Sequence, residues 1–251
     1  MQTVKVGNVV IGEGTPKIIV PLVGKTKEEI IHEAKQVAAL DCDIVEWRID
    51  FYEEVTEAGK AAQLSKEVHS LLNKPLLITF RTKKEGGELE LPEADYFTIY
   101  TNILEQGQAD LLDVELFMPE REVENIIDKA HKQGVRVVMC NHDFDATPEK
   151  AEIVKRLRAM QDKGADICKI AVMPQTSADV LTLLAATEEM KRLYSDRPLI
   201  TMSMGALGMV SRVSGQVFGS DATFGAAAKA SAPGQVPVNQ LAATLEVLKI
   251  K

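Results

Sequence analysis

Cysteine is scarce in this sequence, and no segment resembles a membrane anchor. The 251 residues include three cysteines, Cys42, Cys140 and Cys168, with no C-x-x-C pair and no metal-like spacing to a histidine. A small, odd set of thiols is typical of a reducing compartment. No apolar run approaches the length that crosses a bilayer, and the first residues lack the apolar region of a signal peptide. We therefore expect a cytoplasmic protein with no membrane partner.

A basic stripe is missing as well. Acidic residues outnumber basic ones by 37 to 29, which gives a formal net charge of −8. A nucleic-acid partner would favour the opposite balance, so we expect none. The four histidines form no H-E-x-x-H motif, and no phosphate-cradling glycine loop occurs. The sequence therefore predicts no metal site, and an anionic substrate would have to be held by local arginines.

The sequence does contain a regular alternation of short apolar runs and longer amphipathic stretches. Strand starts recur roughly every 28 residues, close to the length of one βα unit. The predicted strands cover residues 17–23, 43–48, 75–81, 111–115, 135–141, 166–171, 199–203 and 216–219. The predicted helices cover residues 27–39, 57–72, 93–106, 120–133, 148–163, 177–193, 206–211 and 239–248.

Eight strands alternating with eight helices fit either an open doubly wound sheet or a closed (β/α)8 barrel, the TIM barrel. The first strand is not followed by a G-x-G-x-x-G turn, which weakens the dinucleotide-binding version of the open sheet. We therefore favour the α/β barrel, as a single domain over residues 1–251. Residues 3–6 and 9–11, split by Gly7 and Asn8, predict an N-terminal β-hairpin that closes the bottom of the barrel.

Lys169 occupies a position where a lysine is costly. It lies within an apolar run, residues 165–173, which is bounded by Gly164 and Pro174 and reads as a buried strand. Burial disfavours the charged form of an amine, and a neutral amine in a dry pocket can form a Schiff base with a ketone or an aldehyde. The alternative is that Lys169 ends an edge strand and extends its amine to water.

Other polar residues collect at predicted strand ends, where barrel enzymes carry their active sites. His142 follows the fifth strand and is a candidate general acid and base. Glu46 and Arg48 share one face of the second strand. They either bind substrate or form a buried ion pair that sets the barrel packing. Arg81 ends the third strand and offers a forked donor for hydroxyl or carboxylate oxygens.

The last third of the chain adds an apolar wall and a loop. Met202 lies near the end of the seventh strand and Met204 directly after it, and both are expected to form an apolar wall around the lysine; for Met202 the alternative is plain core filling. Residues 229–235 form a small-residue loop before the last helix, with Ser231 and Gln235 as hydrogen-bonding groups. Such a loop can close over a ligand and exclude water, or it can be an ordinary turn.

Taken together, these residues resemble one known family. The segment Asp113-Val114-Glu115-Leu116, a 20-residue gap and the segment Val137-Val138-Met139-Cys140-Asn141-His142-Asp143 match the signature of the type I 3-dehydroquinate dehydratases. Further matches lie at residues 46–48, 79–81, 85–87, 169–174, 217–220 and 230–235. The resemblance covers essentially the whole chain, with several motifs in the right order.

The resemblance implies a reaction and a role for each matched residue. Lys169 would form an imine with the C3 ketone of 3-dehydroquinate, His142 would shuttle the proton, and Glu85 would be the acidic partner of that histidine. The substrate's carboxylate and hydroxyls would be bound by Arg212, Glu46, Arg48, Arg81, Ser231 and Gln235, with Met204 beside them. The reaction would need no cofactor, and the enzyme would be a homodimer.

Two alternatives remain open from the residues alone. A class I aldolase uses the same kind of lysine on the same kind of barrel, although its sugar-phosphate substrates would call for a phosphate site in the last two loops. A non-catalytic barrel could bind a small carboxylic acid, because barrels carry many functions.

Overall fold

The computed structural model describes residues 2–227 and 232–250 of the chain. The strands are β1 Val4–Val6, β2 Val9–Ile11, β3 Lys17–Leu22, β4 Ile44–Arg48, β5 Leu76–Thr79, β6 Leu111–Glu115, β7 Arg136–Asp143, β8 Ile167–Val172, β9 Leu199–Ser203, β10 Ala222–Ala226 and β11 Val236–Pro237. The α-helices are α1 Lys27–Ala38, α2 Lys60–Leu71, α3 Glu93–Gln106, α4 Glu120–Lys132, α5 Lys150–Asp162, α6 Ser177–Leu193, α7 Met209–Val213, α8 Gly215–Phe218 and α9 Val238–Val247.

Strands β3 to β10 form the predicted α/β barrel. The strands pair in parallel in the order β10-β3-β4-β5-β6-β7-β8-β9, and β11 adds a short pairing to β10. Residues that point outward from the strands pack against the helices, as Trp47 and Val114 do in the larger apolar cluster. Inward-pointing residues form a second cluster, which includes Leu77 and Val138. Among the described residues, no helix is long and apolar enough to span a bilayer.

The barrel is completed between β9 and β10 by the two residues that precede β10. Asp221 donates its backbone N–H to the Leu199 carbonyl at 2.7 Å, and its carboxylate accepts the Leu199 N–H at 2.8 Å. The Ser220 hydroxyl accepts the Thr201 N–H at 3.0 Å. These bonds satisfy backbone groups at the seam, where no ladder between β9 and β10 occurs in the described part of the chain.

Asp221 is one of four aspartates that make equivalent hydrogen bonds at the base of the barrel. They stand directly before β4, β6, β8 and β10. Each carboxylate accepts the backbone N–H of the first or second residue of the preceding strand, at 2.7–2.8 Å. They are Asp43, Asp110, Asp166 and Asp221. A charged acceptor makes these bonds stronger than neutral ones, so they fix the relative heights of neighbouring strands.

The N-terminal hairpin closes the bottom of the barrel, as predicted. Strands β1 and β2 pair in antiparallel orientation, with Val6 opposite Val9 across the turn. Their buried side chains, including the fully buried Ile11, join the apolar cluster inside the barrel that contains Ile19 and Ile44. Burial of this apolar surface is what holds the hairpin in place.

The prediction of the eighth strand at residues 216–219 was wrong. Residues 216–218 belong to the short helix α8, and Gly219 caps its C-terminus in a left-handed conformation with φ 100°. The actual strand, Ala222–Ala226, consists mostly of small residues and therefore gives a weak strand signal. A Cβ on Gly225 would lie 3.1 Å from Val238, so the small side chains let α9 pack closely on the strand.

Candidate active site

The upper half of the barrel interior is charged, in contrast to the apolar lower half. Because side chains alternate along a strand, every second residue of β4, β6 and β8 points inward, which places Glu46, Asp113 and Lys169 there. Above them, at the carboxyl ends of the strands, lies a cavity of about 490 Å³ when its part open to solvent is included. It is lined by Glu46, Arg48, Arg81, Glu85, Gly86, His142, Phe144, Lys169, Ala171, Met202, Met204, Arg212, Phe224, Ala232 and Gln235.

Nine of the ten site residues predicted from the sequence therefore lie around one cavity. The tenth, Ser231, lies outside the described residues. Gln235 and Met204 both line the cavity. Met202, which was expected to belong to the apolar wall, also lines it.

Lys169 is buried in the centre of the site. Strand β8 lies between β7 and β9, and the residue is 3% exposed, so the alternative of an edge strand with an exposed amine was wrong. The amine donates a hydrogen bond to Oδ2 of Asp113 at 3.0 Å and lies 4.7 Å from the centre of the Phe224 ring. A carboxylate and an aromatic face thus both contact the amine, in addition to the apolar wall expected from the sequence.

Asp113 is shared between two cations. Its Oδ1 accepts a hydrogen bond from Arg81 Nη2 at 2.6 Å, while Oδ2 accepts from Lys169. Burial alone would raise the pKa of Asp113, but Arg81 and Lys169 lower it to about 2. Arg81 also donates to Glu115 at 2.9 Å, and its carboxylate neighbours hold its pKa well above the usual value despite burial. Arg81 is thus a buried anchor of the charged layer and also lines the cavity.

His142 and Glu85 form a pair at the edge of the cavity. Oε2 of Glu85 lies 3.0 Å from Nδ1 of His142 and also accepts the backbone N–H of that residue at 2.9 Å. Burial and the nearby cations Arg81, Lys169 and Arg48 hold the pKa of His142 well below its usual value. Burial, with the charge of Glu115, raises the pKa of Glu85 to about 8. The imidazole is therefore neutral at physiological pH and can accept a proton.

Arg212 is a buried cation that contacts no carboxylate in the described part of the chain. Its Nη2 donates to the Pro233 carbonyl at 2.9 Å and its Nη1 to the Met202 sulfur at 3.5 Å, while its Nε has no hydrogen-bond partner among the described residues. Burial lowers the pKa of Arg212 to about 10. An incompletely paired guanidinium that faces a cavity is a binding group for an anion.

Glu46 and Arg48 do not form the ion pair that was one alternative for them. Arg48 instead makes two hydrogen bonds of 2.8 Å to the buried Asp50, in a bidentate arrangement. Glu46 accepts the Thr79 hydroxyl at 2.8 Å and lies within 4.0 Å of no cation in the described part of the chain. Both side chains line the cavity, where Glu46 is available to accept hydrogen bonds from ligand hydroxyls.

Glu85, Cys140 and His142 lie close enough to suggest a metal site, since one ligand atom of each falls within 4.8 Å of the others. The thiol is already engaged, because it donates to Asp113 at 2.9 Å and accepts from Arg81 at the same distance. Burial raises the pKa of Cys140 well above its usual value, so the sulfur stays protonated. A protonated thiol is a poor metal ligand, and the cluster fits a hydrogen-bond network better.

Sequence reasoning assigned no role to several residues that shape the site. Asp113 and Glu115 alternate on β6 just as Glu46 and Arg48 do on β4, so the same alternation rule would have placed them inside the barrel. Phe224 was missed because the eighth strand was predicted at the wrong place. Asp50 gave no signal, because it lies in a 3-10 turn, Ile49–Phe51, after the strand.

Comparison with known proteins gives a consistent result. A family model of type I 3-dehydroquinase matches residues 18–251. The 3-dehydroquinate dehydratase of Enterococcus faecalis is 54% identical over 242 residues, which cover 96% of each chain. That of Bacillus subtilis is 50% identical over 249 residues, which cover 99% of this chain and 98% of the relative. A crystal structure of the type I 3-dehydroquinate dehydratase from Clostridium difficile, with covalent modified comenic acid, matches with a TM-score of 0.95 and 48% identity over 98% of each chain.

Proposed function

Because this chain belongs to the type I 3-dehydroquinase family, an enzyme family of hydro-lyases, we propose that it dehydrates 3-dehydroquinate to 3-dehydroshikimate through an imine on Lys169. The proposal rests on three groups that line one cavity. They are the buried amine of Lys169, the neutral imidazole of His142 and the guanidinium of Arg212, which is incompletely paired among the described residues.

The chemistry follows from these groups. The Lys169 amine, once it has given up a proton, attacks the C3 carbonyl, and loss of water gives a protonated imine. The positive nitrogen acidifies the neighbouring C2–H, because the electrons left behind can flow into nitrogen as an enamine. His142 removes that proton and returns it to the C1 hydroxyl, which leaves as water. Hydrolysis of the product imine then frees Lys169 and consumes one water molecule.

Local groups position the substrate and the base. Arg212 supplies the charge that a substrate carboxylate needs, and Glu46 with Arg48 and Arg81 offers hydrogen bonds to ring hydroxyls. Glu85 contacts Nδ1 of His142 and thereby orients the ring so that Nε2 is free for proton transfer. We also assign Ser231 and Gln235 to substrate binding, and Met204 to the apolar wall.

The direct test is the assay of purified protein with 3-dehydroquinate. Dehydration creates a conjugated enone that absorbs ultraviolet light, so product formation is followed continuously, and the product is identified by chromatography against authentic 3-dehydroshikimate. The proposal predicts turnover that depends on Lys169. Absence of enone formation by folded protein would refute it.

We further propose that the enzyme is a homodimer, which rests on the family resemblance alone. Sedimentation equilibrium at micromolar concentration distinguishes a mass near twice 27.5 kDa from the monomer mass.

A further inference from the structure

The turn that carries Glu85 is a thin wall between two cavities. On one side lies the cavity of the active site, and on the other lies a second cavity that also reaches Glu85 and is lined by Thr82, Tyr96, Glu115 and Phe117. Residues Lys83–Glu85 form a single 3-10 turn, and the second cavity is lined by all three of them. Hydrogen bonds must therefore hold Glu85 in place against His142.

Those hydrogen bonds converge on Thr82. Its carbonyl accepts the backbone N–H groups of Glu85 at 3.0 Å and Gly87 at 2.8 Å, so the turn is built on this residue. Its own N–H and hydroxyl are both bound by Glu115, at 2.9 Å to Oε1 and 2.7 Å to Oε2. Glu115 thus uses both carboxylate oxygens to anchor the residue on which the turn depends.

Glu115 also places a negative charge behind Glu85. The Nη1 of Arg81 lies 2.9 Å from Glu115 and 3.7 Å from Glu85, so the two carboxyl groups flank one nitrogen. Glu115 is 2% exposed and does not line the active-site cavity. Its charge therefore acts through a buried, poorly screened environment.

We propose that Glu115 is a positioning residue for the reaction: it fixes the turn that carries Glu85 and keeps a negative charge behind that carboxyl. The inference rests on the proposed function and deepens it. Burial and the charge of Glu115 raise the pKa of Glu85, against the opposing effects of Arg81 and of hydrogen bonds from Asn141 and His142. The groups around Glu115 itself are Arg81, Thr82, Glu85 and Tyr96, and Cys140 lies opposite it on the neighbouring strand β7.

The informative variant is Glu115→Gln, which keeps the shape and the acceptor oxygen but removes the charge. Loss of a neighbouring negative charge disfavours proton binding by the Glu85–His142 pair. We therefore expect the pH profile of kcat/KM to move to lower pH by about 1–2 units. A role limited to holding the turn would lower kcat without moving the profile, and that result would overturn the electrostatic part of the proposal.

Two controls separate charge from geometry. Thr82→Val removes one hydrogen bond to Glu115 without a change in charge, so we expect a lower kcat and an unmoved pH profile. Glu124→Gln removes one carboxylate from the exposed face of helix α4, so the same change in net charge should leave both quantities unchanged. If Glu124→Gln moves the profile as far as Glu115→Gln does, net charge explains the effect and the proposal fails.

A second measurement needs no substrate. Infrared titration detects the C=O band of a protonated carboxyl, and comparison with Glu85→Gln identifies the band of Glu85. We expect the band to disappear at lower pH in Glu115→Gln than in the wild-type protein. An unshifted band refutes the inference even if the enzyme is active, while a shifted band without dehydration refutes only the proposed function.

If Glu115→Gln does not fold, Glu115→Asp keeps the charge on a shorter side chain. An unchanged profile with a reduced kcat is then expected, and wild-type kcat would contradict the positioning role.

Discussion

Nζ of Lys169 lies 3.0 Å from Oδ2 of Asp113, and both side chains are almost completely withdrawn from solvent. The partner of the lysine is itself held by Arg81 and by the thiol of Cys140. The amine is therefore fixed in position by a preformed network. Such preorganisation lowers the cost of bringing a nucleophile to its carbonyl.

Asp113→Asn should destabilise the fold strongly, because it leaves Arg81 and Lys169 with one fewer buried negative charge. Removal of one partner of a buried ion pair typically costs about 3–5 kcal/mol.

The destabilisation caused by Asp113→Asn should depend on pH. Since the pKa of Asp113 is lowered to about 2 from an ordinary 3.8, its contribution is complete above pH 4 and is lost as the pH falls through 2. Urea unfolding at pH 7 and pH 2.5 should therefore show a large difference between variant and wild type at pH 7 and a smaller one at pH 2.5.

His142→Ala should slow turnover while leaving imine formation possible. Loss of a positioned general acid and base typically costs about 10²–10⁴-fold in rate. The matched control is His131→Ala, because that histidine contacts Asp166 at the base of the barrel. Steady-state kinetics check both variants, and a His142→Ala enzyme with near wild-type kcat would remove His142 from the proton-transfer role.

Arg212→Met should make the free protein more stable and the enzyme worse at binding substrate. The lowering of the Arg212 pKa from 12.5 to about 10 corresponds to roughly 3 kcal/mol of unfavourable burial at neutral pH. Loss of the charged hydrogen bonds between Arg212 and the substrate carboxylate should raise KM by roughly 10–100-fold. Arg48→Met is the contrasting variant, since it leaves the buried Asp50 unpaired and should lower stability. Thermal unfolding and KM, measured on the same preparations, test both effects. An Arg212→Met protein less stable than wild type would contradict the expected gain in stability.

Glu85→Gln should stabilise the protein increasingly as the pH rises. The pKa of Glu85 is raised from 4.5 to about 8. The contribution of this carboxyl to the free energy of unfolding is therefore most favourable below pH 4.5, and it is lost as the pH rises toward 8. The slope is at most about 1.4 kcal/mol per pH unit. Denaturant unfolding at pH 5 and pH 8 tests this prediction, with the larger gain expected at pH 8. Equal gains at both values would show that Glu85 does not hold its proton in the folded state.

Much of the fold could be predicted because the barrel repeats one unit. Seven of the eight barrel strands coincide with predicted apolar runs, since burial on both sides demands such runs. The eighth could not be recognised, because Ala222–Ala226 is built from small residues that serve close packing with α9. The single-domain assignment and the homodimer stay predictions.

The site was predictable where a polar residue stands within an apolar strand or at its carboxyl end. Lys169 was identified as a costly residue within such a run, and Arg81 and His142 as polar residues at strand ends; each lines the cavity. Partner choice was not predictable. Lys169 pairs with Asp113 across 56 positions of sequence, a contact that depends on the placement of distant strands. Arg48 pairs with Asp50 instead of Glu46, because a 3-10 turn directly after β4 brings Asp50 back to the guanidinium.

Imine formation between Lys169 and the substrate is the step on which the proposed reaction depends. Incubation with 3-dehydroquinate and borohydride, followed by intact and peptide mass spectrometry, detects this imine. We expect one reduced ligand adduct on Lys169, also formed in His142→Ala, and neither adduct nor turnover in a folded Lys169→Ala protein. Formation of 3-dehydroshikimate by a Lys169→Ala variant, or by wild type without any adduct, would contradict this expectation.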